Sequence, residues 1–148
     1  MRLVSVYKWT ISTSPADRTC SGICIVTDFV NDVLMVKAPE KLTSYFDGNR
    51  YIQHNPAIAN GLDGLGAVLK WMAENNMVMV YDKLHLTLAE GDKVLCVSEG
   101  KFGAAPGEHV AFYDIFRLEN GKIVEHWDNI QAIPADGQWA NPNGKFGF

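Results

Sequence analysis

The sequence lacks most of the features that mark membrane, secreted or nucleic-acid-binding proteins. No stretch approaches the roughly 20 apolar residues of a membrane span, and the first apolar residues are interrupted at Lys8, too soon for a secretory signal core. Three cysteines (Cys20, Cys24 and Cys96) are too few for a disulfide framework, which favours a reducing cytoplasm. Lysine and arginine form no cluster and the net charge is −4, so neither a nucleic-acid nor a membrane partner is expected.

Motifs for phosphate, metal or nucleophile chemistry are missing as well. The sequence contains no glycine-rich phosphate loop, no catalytic-triad signature and no run of residues with metal-ligand spacing. A metal site requires three or four ligands that converge at defined distances. The sequence therefore predicts a protein that works without a metal or another cofactor.

The composition is that of one globular domain. The 148 residues are 47% hydrophobic and 20% charged, enough for a single sizeable core. Residues 1–20 show no clean period, which predicts an irregular leader that can be removed with little loss of stability. Apolar residues then recur at helical spacing, which predicts helices over 21–34, 39–46 and 62–72.

The second half of the sequence is rich in strand patterns. Four segments separated by turn residues predict strands: 77–88, 93–102, 109–118 and 122–131. Helices followed by a meander of strands indicate an α+β domain over 21–134, with N-terminal helices packed on a curved antiparallel sheet and residues 135–148 as a tail. Tyr113, Ile115 and Val124 would make the other sheet face apolar, which predicts a homodimer.

The last two predicted strands meet at Asn120-Gly121, the strongest hairpin signal in the chain. A two-residue turn there pairs Leu118 with Ile123. If the register continues without a break, Asp114 lies opposite Trp127, which we expect to be a core or pocket-wall aromatic.

Asp114 is the leading candidate for acid–base chemistry. It lies between Phe112 and Phe116 on the more apolar face of its predicted strand. A buried carboxylate needs hydrogen-bond donors or loses its charge, and both situations occur in general bases. A structural role, such as accepting a hydrogen bond from the Trp127 indole, explains the pattern equally well.

The same register places other polar candidates on this face. Asn129 and Gln131 would lie beyond Asp114, where their amides could bind a ligand. A β-bulge in the hairpin would reverse the faces and turn His126 and Asp128 inward instead.

His54 and His109 are the remaining polar candidates. His54 lies at the end of a short strand-like run and is flanked by Gln53 and Asn55, so these side chains could polarise or position a carbonyl group. A structural histidine at a strand end is the simpler interpretation.

Three segments together resemble the signature of SnoaL-like proteins, a family often described as polyketide cyclases. These are Tyr51–Pro56, Phe112–Arg117 and Gly121–Gln131, and the resemblance extends over about residues 21–134. It implies a cone-shaped cystatin-like fold of the nuclear transport factor 2-like superfamily, with a deep pocket and commonly a dimer. That superfamily includes cyclases, isomerases, epoxide hydrolases and pure binding domains.

The resemblance also implies an acid–base site. In the cyclases and epoxide hydrolases a pocket aspartate on the last strand acts as a base, and the nearest positions here are Asp128 and Gln131. Asp114 resembles a second pocket aspartate of the epoxide hydrolases. The expected function is acid–base chemistry on an apolar oxygenated molecule, by aldol cyclisation, isomerisation or hydrolysis. The alternative is a non-catalytic domain for small-ligand binding or dimerisation.

Overall fold

A computed structural model describes residues 22–48 and 50–148 of the chain. The predicted leader, residues 1–20, lies outside the described residues, so its predicted dispensability stays a prediction. The described part is an α+β fold in which the helices precede and cover one face of a five-stranded sheet, as the sequence predicts.

The N-terminal helices supply the apolar layer above the sheet. Helix α1 spans Gly22–Phe29 and continues as one π-helical turn, Val30–Leu34. A 3₁₀ helix, Pro39–Tyr45, follows, and its proline stands in the first turn, where the missing N–H costs nothing. The buried residues of this segment include Val26, Phe29 and Val30. They lie on the helix face that the spacing of apolar residues predicts to be buried.

The second α-helix, α2, spans Gly61–Glu74 and packs loosely. Within it only its first residue and Met72 are fully buried. Leu69 and Trp71 are 40% and 54% exposed although both are large and apolar. Helix α2 therefore covers one end of the sheet with a narrow contact face.

Five strands form one sheet in the order β1-β5-β4-β3-β2. The strands are β1 (Ile52–Gln53), β2 (Met77–Glu90), β3 (Lys93–Ala104), β4 (Glu108–Glu119) and β5 (Lys122–Ala132). Strands β2 to β5 form the predicted antiparallel meander. Strand β1 pairs with β5 in parallel, so the sheet is mixed rather than wholly antiparallel.

The core lies between the helices and one face of the sheet, which we call the inner face. Phe29 of α1 meets Phe46 and Phe116 edge to face, with ring centroids 5.6 and 5.4 Å apart. Further along this face Tyr81 and Phe112 stack at 4.0 Å. Such aromatic pairs add to the free energy gained by burying their area.

The β4–β5 hairpin begins as predicted and then departs from the predicted register. Asn120 and Gly121 both have positive φ, as a type I′ turn requires, and Leu118 pairs with Ile123. A register shift follows immediately, because β5 carries one extra residue before Glu125. This bulge is the reason why the unbroken register is wrong.

The bulge moves the following residues of β5 to the opposite faces. Asp114 pairs with Asp128 rather than with Trp127, and Phe116 pairs with His126. Trp127, and likewise Asn129 and Gln131, therefore lie on the other side of the sheet, which we call the outer face. Val124, predicted to lie on an exposed outer surface, is 4% exposed.

The C-terminal segment, residues 133–148, forms turns and extended chain that lie on the outer face. The Lys145 ammonium group donates a hydrogen bond to the Gln131 side-chain oxygen and lies 5.4 Å from the Tyr113 ring centroid. Phe146 stacks on His85 at 4.1 Å. The segment thus covers part of the outer face.

Candidate active site

Two carboxylates face each other on the inner face of the sheet. Asp114 on β4 and Asp128 on β5 are direct cross-strand partners. Like charges in this arrangement destabilise a sheet unless other groups compensate. Each of the two carboxylates has its own hydrogen-bond donors, and these donors differ.

Asp114 is the more enclosed of the two, at 1% exposure. One of its oxygens, Oδ1, lies 3.0 Å from His126 Nε2, and Tyr81 Oη donates to Oδ2 at 3.2 Å. The Phe116 ring stacks on the imidazole at 4.7 Å. Aromatic rings therefore shield this pair from water.

Asp128 is half-buried and is held by a single amide. Asn55 Nδ2 lies 3.0 and 2.8 Å from the two carboxylate oxygens. The Asn55 side-chain oxygen accepts a hydrogen bond from the Ala57 backbone N–H at 3.0 Å, which fixes which end of the amide faces Asp128. One donor nitrogen leaves most of the acceptor positions of Asp128 open.

Two tyrosines complete the inner-face cluster. Burial, followed by the charges of Asp114 and Asp128, raises the pKa of Tyr51 above its ordinary range. Burial and then the Asp114 charge raise the pKa of Tyr81 well above its ordinary value. Both hydroxyl groups therefore keep their protons at neutral pH and remain hydrogen-bond donors.

These side chains line one of two neighbouring cavities on the inner face, which we call the inner and the outer chamber. The inner chamber, about 60 Å³, has walls formed by Tyr51, Tyr81, Asp114, His126 and Asp128 together with apolar side chains from the helices and strands. The outer chamber, about 160 Å³, lies between α2 and the sheet and is almost entirely apolar. Asp128 lines both chambers, so it stands between them.

Wider depressions elsewhere offer less chemistry. An open groove of about 570 Å³ lies beside Gly22 and the hairpin turn, and its only described titratable group is Asp92, which is paired with Lys93. A shallow depression of about 410 Å³ lies within the C-terminal segment. The inner-face cavity brings several polar groups together on an apolar space.

Comparison with known families identifies the chain. The family model of the SnoaL-like domain matches residues 26–126. The chain belongs to this family.

Solved structures of SnoaL-like and related proteins share the fold. A cystatin-like protein of unknown function from Xanthomonas campestris is 25% identical, with a TM-score of 0.60 over 74% of this chain and 89% of that one. An epoxide hydrolase from M. tuberculosis, described as LEH-like, is 20% identical, with a TM-score of 0.55 over 74% and 82%. A SnoaL-like polyketide cyclase from Agrobacterium tumefaciens is 12% identical, with a TM-score of 0.55 over 72% and 88%. No curated protein matches the sequence.

The residues of this SnoaL-like domain that the sequence singles out separate into two groups. The structure brings Asp114, Asp128, Gln53, Asn55 and Phe116 to the cavity. Phe112 is also on the inner face, where its ring packs against Tyr81.

His54 lies on the outer side of the sheet, away from the cavity. Its ring stacks on Trp127 at 4.5 Å and its Nε2 lies 2.8 Å from Glu125 Oε1. Since successive residues of a strand point to opposite faces, Gln53 faces inward and its neighbour does not.

The remaining candidates also lie outside the cavity. His109 Nε2 lies 2.7 Å from Glu99 Oε1 on the outer face. Asn129 and Gln131 are exposed there because of the bulge, so the predicted ligand contact from their amides is not present.

Two tyrosines of the site were missed from the sequence. Tyr51 opens the motif that carries the family resemblance, and its position two residues before Gln53 puts it on the same side of the chain. Tyr81 could be found only from the β2–β3 register, which is shifted twice by irregularities, the first immediately after Tyr81. The alternation of apolar residues in β2 does not reveal these shifts.

Two further findings apply to residues 22–48 and 50–148. In this part of the chain, no group of three or more His, Cys, Asp or Glu side chains is arranged to hold a metal ion. Helices of the length and hydropathy needed to cross a membrane are also absent from it.

Burial raises the pKa of the Cys96 thiol to about 12, so this cysteine is not a thiolate nucleophile at neutral pH.

Proposed function

We propose that this SnoaL-like protein is a cofactor-independent acid–base catalyst for a mainly apolar molecule that carries a carbonyl or epoxide oxygen. The observation that supports this most strongly is the pairing of Asp114 and Asp128 beside a tyrosine hydroxyl at the end of an apolar cavity. Paired carboxylates in unlike surroundings are a recurring arrangement for proton transfer.

Asp128 is the group that takes the proton. It stands between the two chambers and has open acceptor positions, so a substrate C–H or a water molecule can approach it. Asp114 already accepts hydrogen bonds from the Tyr81 hydroxyl and from His126. Asp114 therefore organises the far wall of the inner chamber.

Tyr51 supplies a hydrogen bond to the substrate oxygen. Its own oxygen accepts a hydrogen bond from Gln53 Nε2 at 3.1 Å, so its proton points away from that amide. A hydroxyl that keeps its proton in a cavity shielded from water stabilises a developing oxyanion more strongly than bulk water does.

One proton-transfer scheme serves the candidate reactions. With a β-keto compound, Asp128 removes a proton from the carbon next to the carbonyl group while Tyr51 donates to the enolate oxygen. The protonated carboxyl group then returns the proton to a substrate carbon, which completes an isomerisation. In an aldol closure the enolate carbon attacks a second carbonyl group instead, and the carboxyl proton goes to the alkoxide that this forms. With an epoxide, Asp128 takes a proton from the attacking water, whose oxygen bonds to a ring carbon as the ring carbon–oxygen bond breaks. The released alkoxide takes the Tyr51 proton, and the Asp128 carboxyl group restores it to the tyrosine. The polyketide cyclase and the epoxide hydrolase that share the fold support both routes.

The chamber volumes limit how the substrate lies. An inner chamber of about 60 Å³ has room for a small polar group, since one water molecule occupies about 30 Å³ of liquid volume. The larger apolar part of the substrate then lies in the outer chamber beside α2. The reacting oxygen and its neighbouring carbon meet Asp128 between the two chambers.

Turnover of a panel of aryl β-keto esters and aryl epoxides tests this proposal. Asp128→Asn preserves the shape of the side chain and should lower kcat by about 10²–10⁴-fold, with ligand affinity changed only slightly. Asp82→Asn makes the same change at an exposed position of β2 and should leave kcat unaffected. If the wild type is active and the two variants have the same kcat, Asp128 is not the base. If the wild type binds a panel member in the cavity without turning it over, the binding-domain alternative replaces the enzyme.

A further inference from the structure

Gln53 is hydrogen-bonded to His126 and to the backbone of Asn55, the residues whose side chains contact Asp114 and Asp128. The Gln53 side chain is buried, and both ends of its amide are bonded. Its Oε1 accepts from the Asn55 backbone N–H at 3.0 Å. Its Nε2 lies 3.1 Å from Tyr51 Oη and 3.1 Å from His126 Nδ1.

The orientation of the Gln53 amide follows from these partners. A backbone N–H can only donate, so the atom that faces Asn55 must be the amide oxygen. The two amide hydrogens then point to the other side, one toward Tyr51 and one toward His126. The reversed amide would place hydrogens against a backbone donor, which is costly in a buried site.

This orientation determines which nitrogen of His126 carries the proton. Nδ1 meets a donor, so it must present a lone pair. The single ring proton is then on Nε2, which donates it to Asp114 at 3.0 Å. A proton on Nδ1 would set two donors against each other between the Tyr51 and Phe116 rings, which flank the imidazole.

We propose that Gln53 is a positioning residue that holds His126 neutral, as the Nε2–H tautomer, against Asp114. The same amide fixes the Asn55 backbone, and the Asn55 side chain binds Asp128. Gln53 therefore sets the hydrogen-bond partners of both carboxylates without touching the reacting atoms. The catalytic meaning of this role rests on the proposed function, whereas the tautomer itself does not.

Long-range ¹H–¹⁵N correlation spectra of the ¹⁵N-labelled protein at neutral pH test the tautomer. The four histidines are assigned by replacing His54, His85 and His109 singly with asparagine, since these three lie on the outer side of the sheet. The wild type should show His126 with one protonated ring nitrogen, Nε2. A His126 ring protonated on Nδ1, or on both nitrogens, overturns the proposal without the need for any variant of Gln53.

Gln53→Met tests whether the glutamine is the cause. Methionine keeps the length of the side chain but has no amide hydrogens, so nothing then opposes a proton on Nδ1 of His126, and the Nε2–H tautomer should no longer be the only form of the ring. Gln131→Met makes the same change on the outer face of β5 and should leave the His126 signals unchanged. A His126 that remains the neutral Nε2–H tautomer in Gln53→Met overturns the proposal.

Kinetics then connect this role to the proposed reaction. Loss of the amide should lower kcat by up to roughly 10²-fold with KM little changed, because the groups are misplaced rather than removed. The proposed function and the role of Gln53 can be refuted independently. A wild type that turns over no panel substrate but shows the neutral tautomer removes only the proposed function. An active wild type with a doubly protonated His126 removes only the role of Gln53.

Discussion

Both faces of the sheet carry a carboxylate in contact with histidine, and the two faces surround it very differently. On the inner face, His126 and Asp114 are 3.0 Å apart beneath stacked rings, with side chains 11% and 1% exposed. On the outer face, His85 and His109 each lie 2.7 Å from a different oxygen of Glu99, which is 30% exposed. The shorter contacts are made to the more exposed carboxylate, so distance alone does not measure how strongly each pair stabilises the fold.

The surroundings determine what each pair can do. Solvent competes for the Glu99 carboxylate, and exposed ion pairs typically contribute about 0–1 kcal/mol. Asp114 has no such competition, so each of its donors matters more to folding and to the state of its neighbours. The inner pair is suited to holding the groups of the cavity in place, and the outer pair is suited to holding the strands and the C-terminal segment together.

The largest expected contrast is in stability. His126→Leu leaves Asp114 buried with Tyr81 as its remaining donor, and the lost hydrogen bond should lower the free energy of unfolding by about 1–3 kcal/mol. His85→Leu removes one of two histidines from a half-exposed carboxylate and should cost less than about 1 kcal/mol. Urea unfolding of both variants at neutral pH measures the difference. Equal losses would show that the two faces do not differ in the way the burial indicates.

A second contrast between the two faces concerns self-association. We propose that the protein forms a homodimer through the outer face. A row of apolar side chains crosses four adjacent strands there: Leu88, Leu95, Ile115 and Trp127. Leu88 is 53% exposed, and the C-terminal contacts lie on the neighbouring rows. Such a continuous apolar strip favours a partner surface.

Ile115→Glu should convert this dimer to a monomer, because a carboxylate in the middle of the strip would have to lose its water. Sedimentation velocity at tens of micromolar measures the mass. Leu69→Glu on α2 is the matched control, since Leu69 is similarly exposed but lies on the opposite side of the sheet. A monomeric wild type at this concentration contradicts the proposed dimer.

The smallest expected effect is on the loss of folding stability at acidic pH. Hydrogen bonds from His85 and then His109 hold the pKa of Glu99 below its ordinary value of 4.5. The folded state therefore gains stability from Glu99 above about pH 4.5, and this gain is lost as pH falls through the lower folded pKa. Glu99→Gln should flatten the pH dependence between pH 5 and 3 by less than about 1 kcal/mol.

Thermal unfolding across that pH range checks the Glu99 prediction. Glu90→Gln, at the exposed end of β2, provides the same change of charge away from both histidines. If the stability of the two variants falls in the same way between pH 5 and 3, Glu99 does not supply the pH-dependent part of the stability.

The sequence predicts most of the fold because its patterns are local. Helical spacing finds α1, the 3₁₀ helix and α2, and the Asn120-Gly121 turn locates the last hairpin. Even the inward position of Asp114 follows from the alternation of apolar residues in β4. Periodicity and turn chemistry act within a few residues, so a single sequence is enough to read them.

The site is predicted less well because one inserted residue determines it. The bulge in β5 exchanges Trp127, Asn129 and Gln131 for His126 and Asp128 at the cavity, and the sequence offers the bulge only as an alternative. Bulges depend on how the partner strand and the layer above it pack, which no local pattern records. The same limit applies to His54, because it lies at the end of a strand of only two residues.

A crystal structure of the wild-type protein soaked with benzoylacetone, an aryl β-diketone, tests whether the inner face holds the active site. We expect a diketone oxygen within hydrogen-bonding distance of Tyr51 Oη, the adjacent carbon facing Asp128, and the phenyl ring in the apolar chamber beside α2. A diketone found only on the outer face, with the Asp114–Asp128 cavity unoccupied, would contradict the assignment of the inner face as the active site.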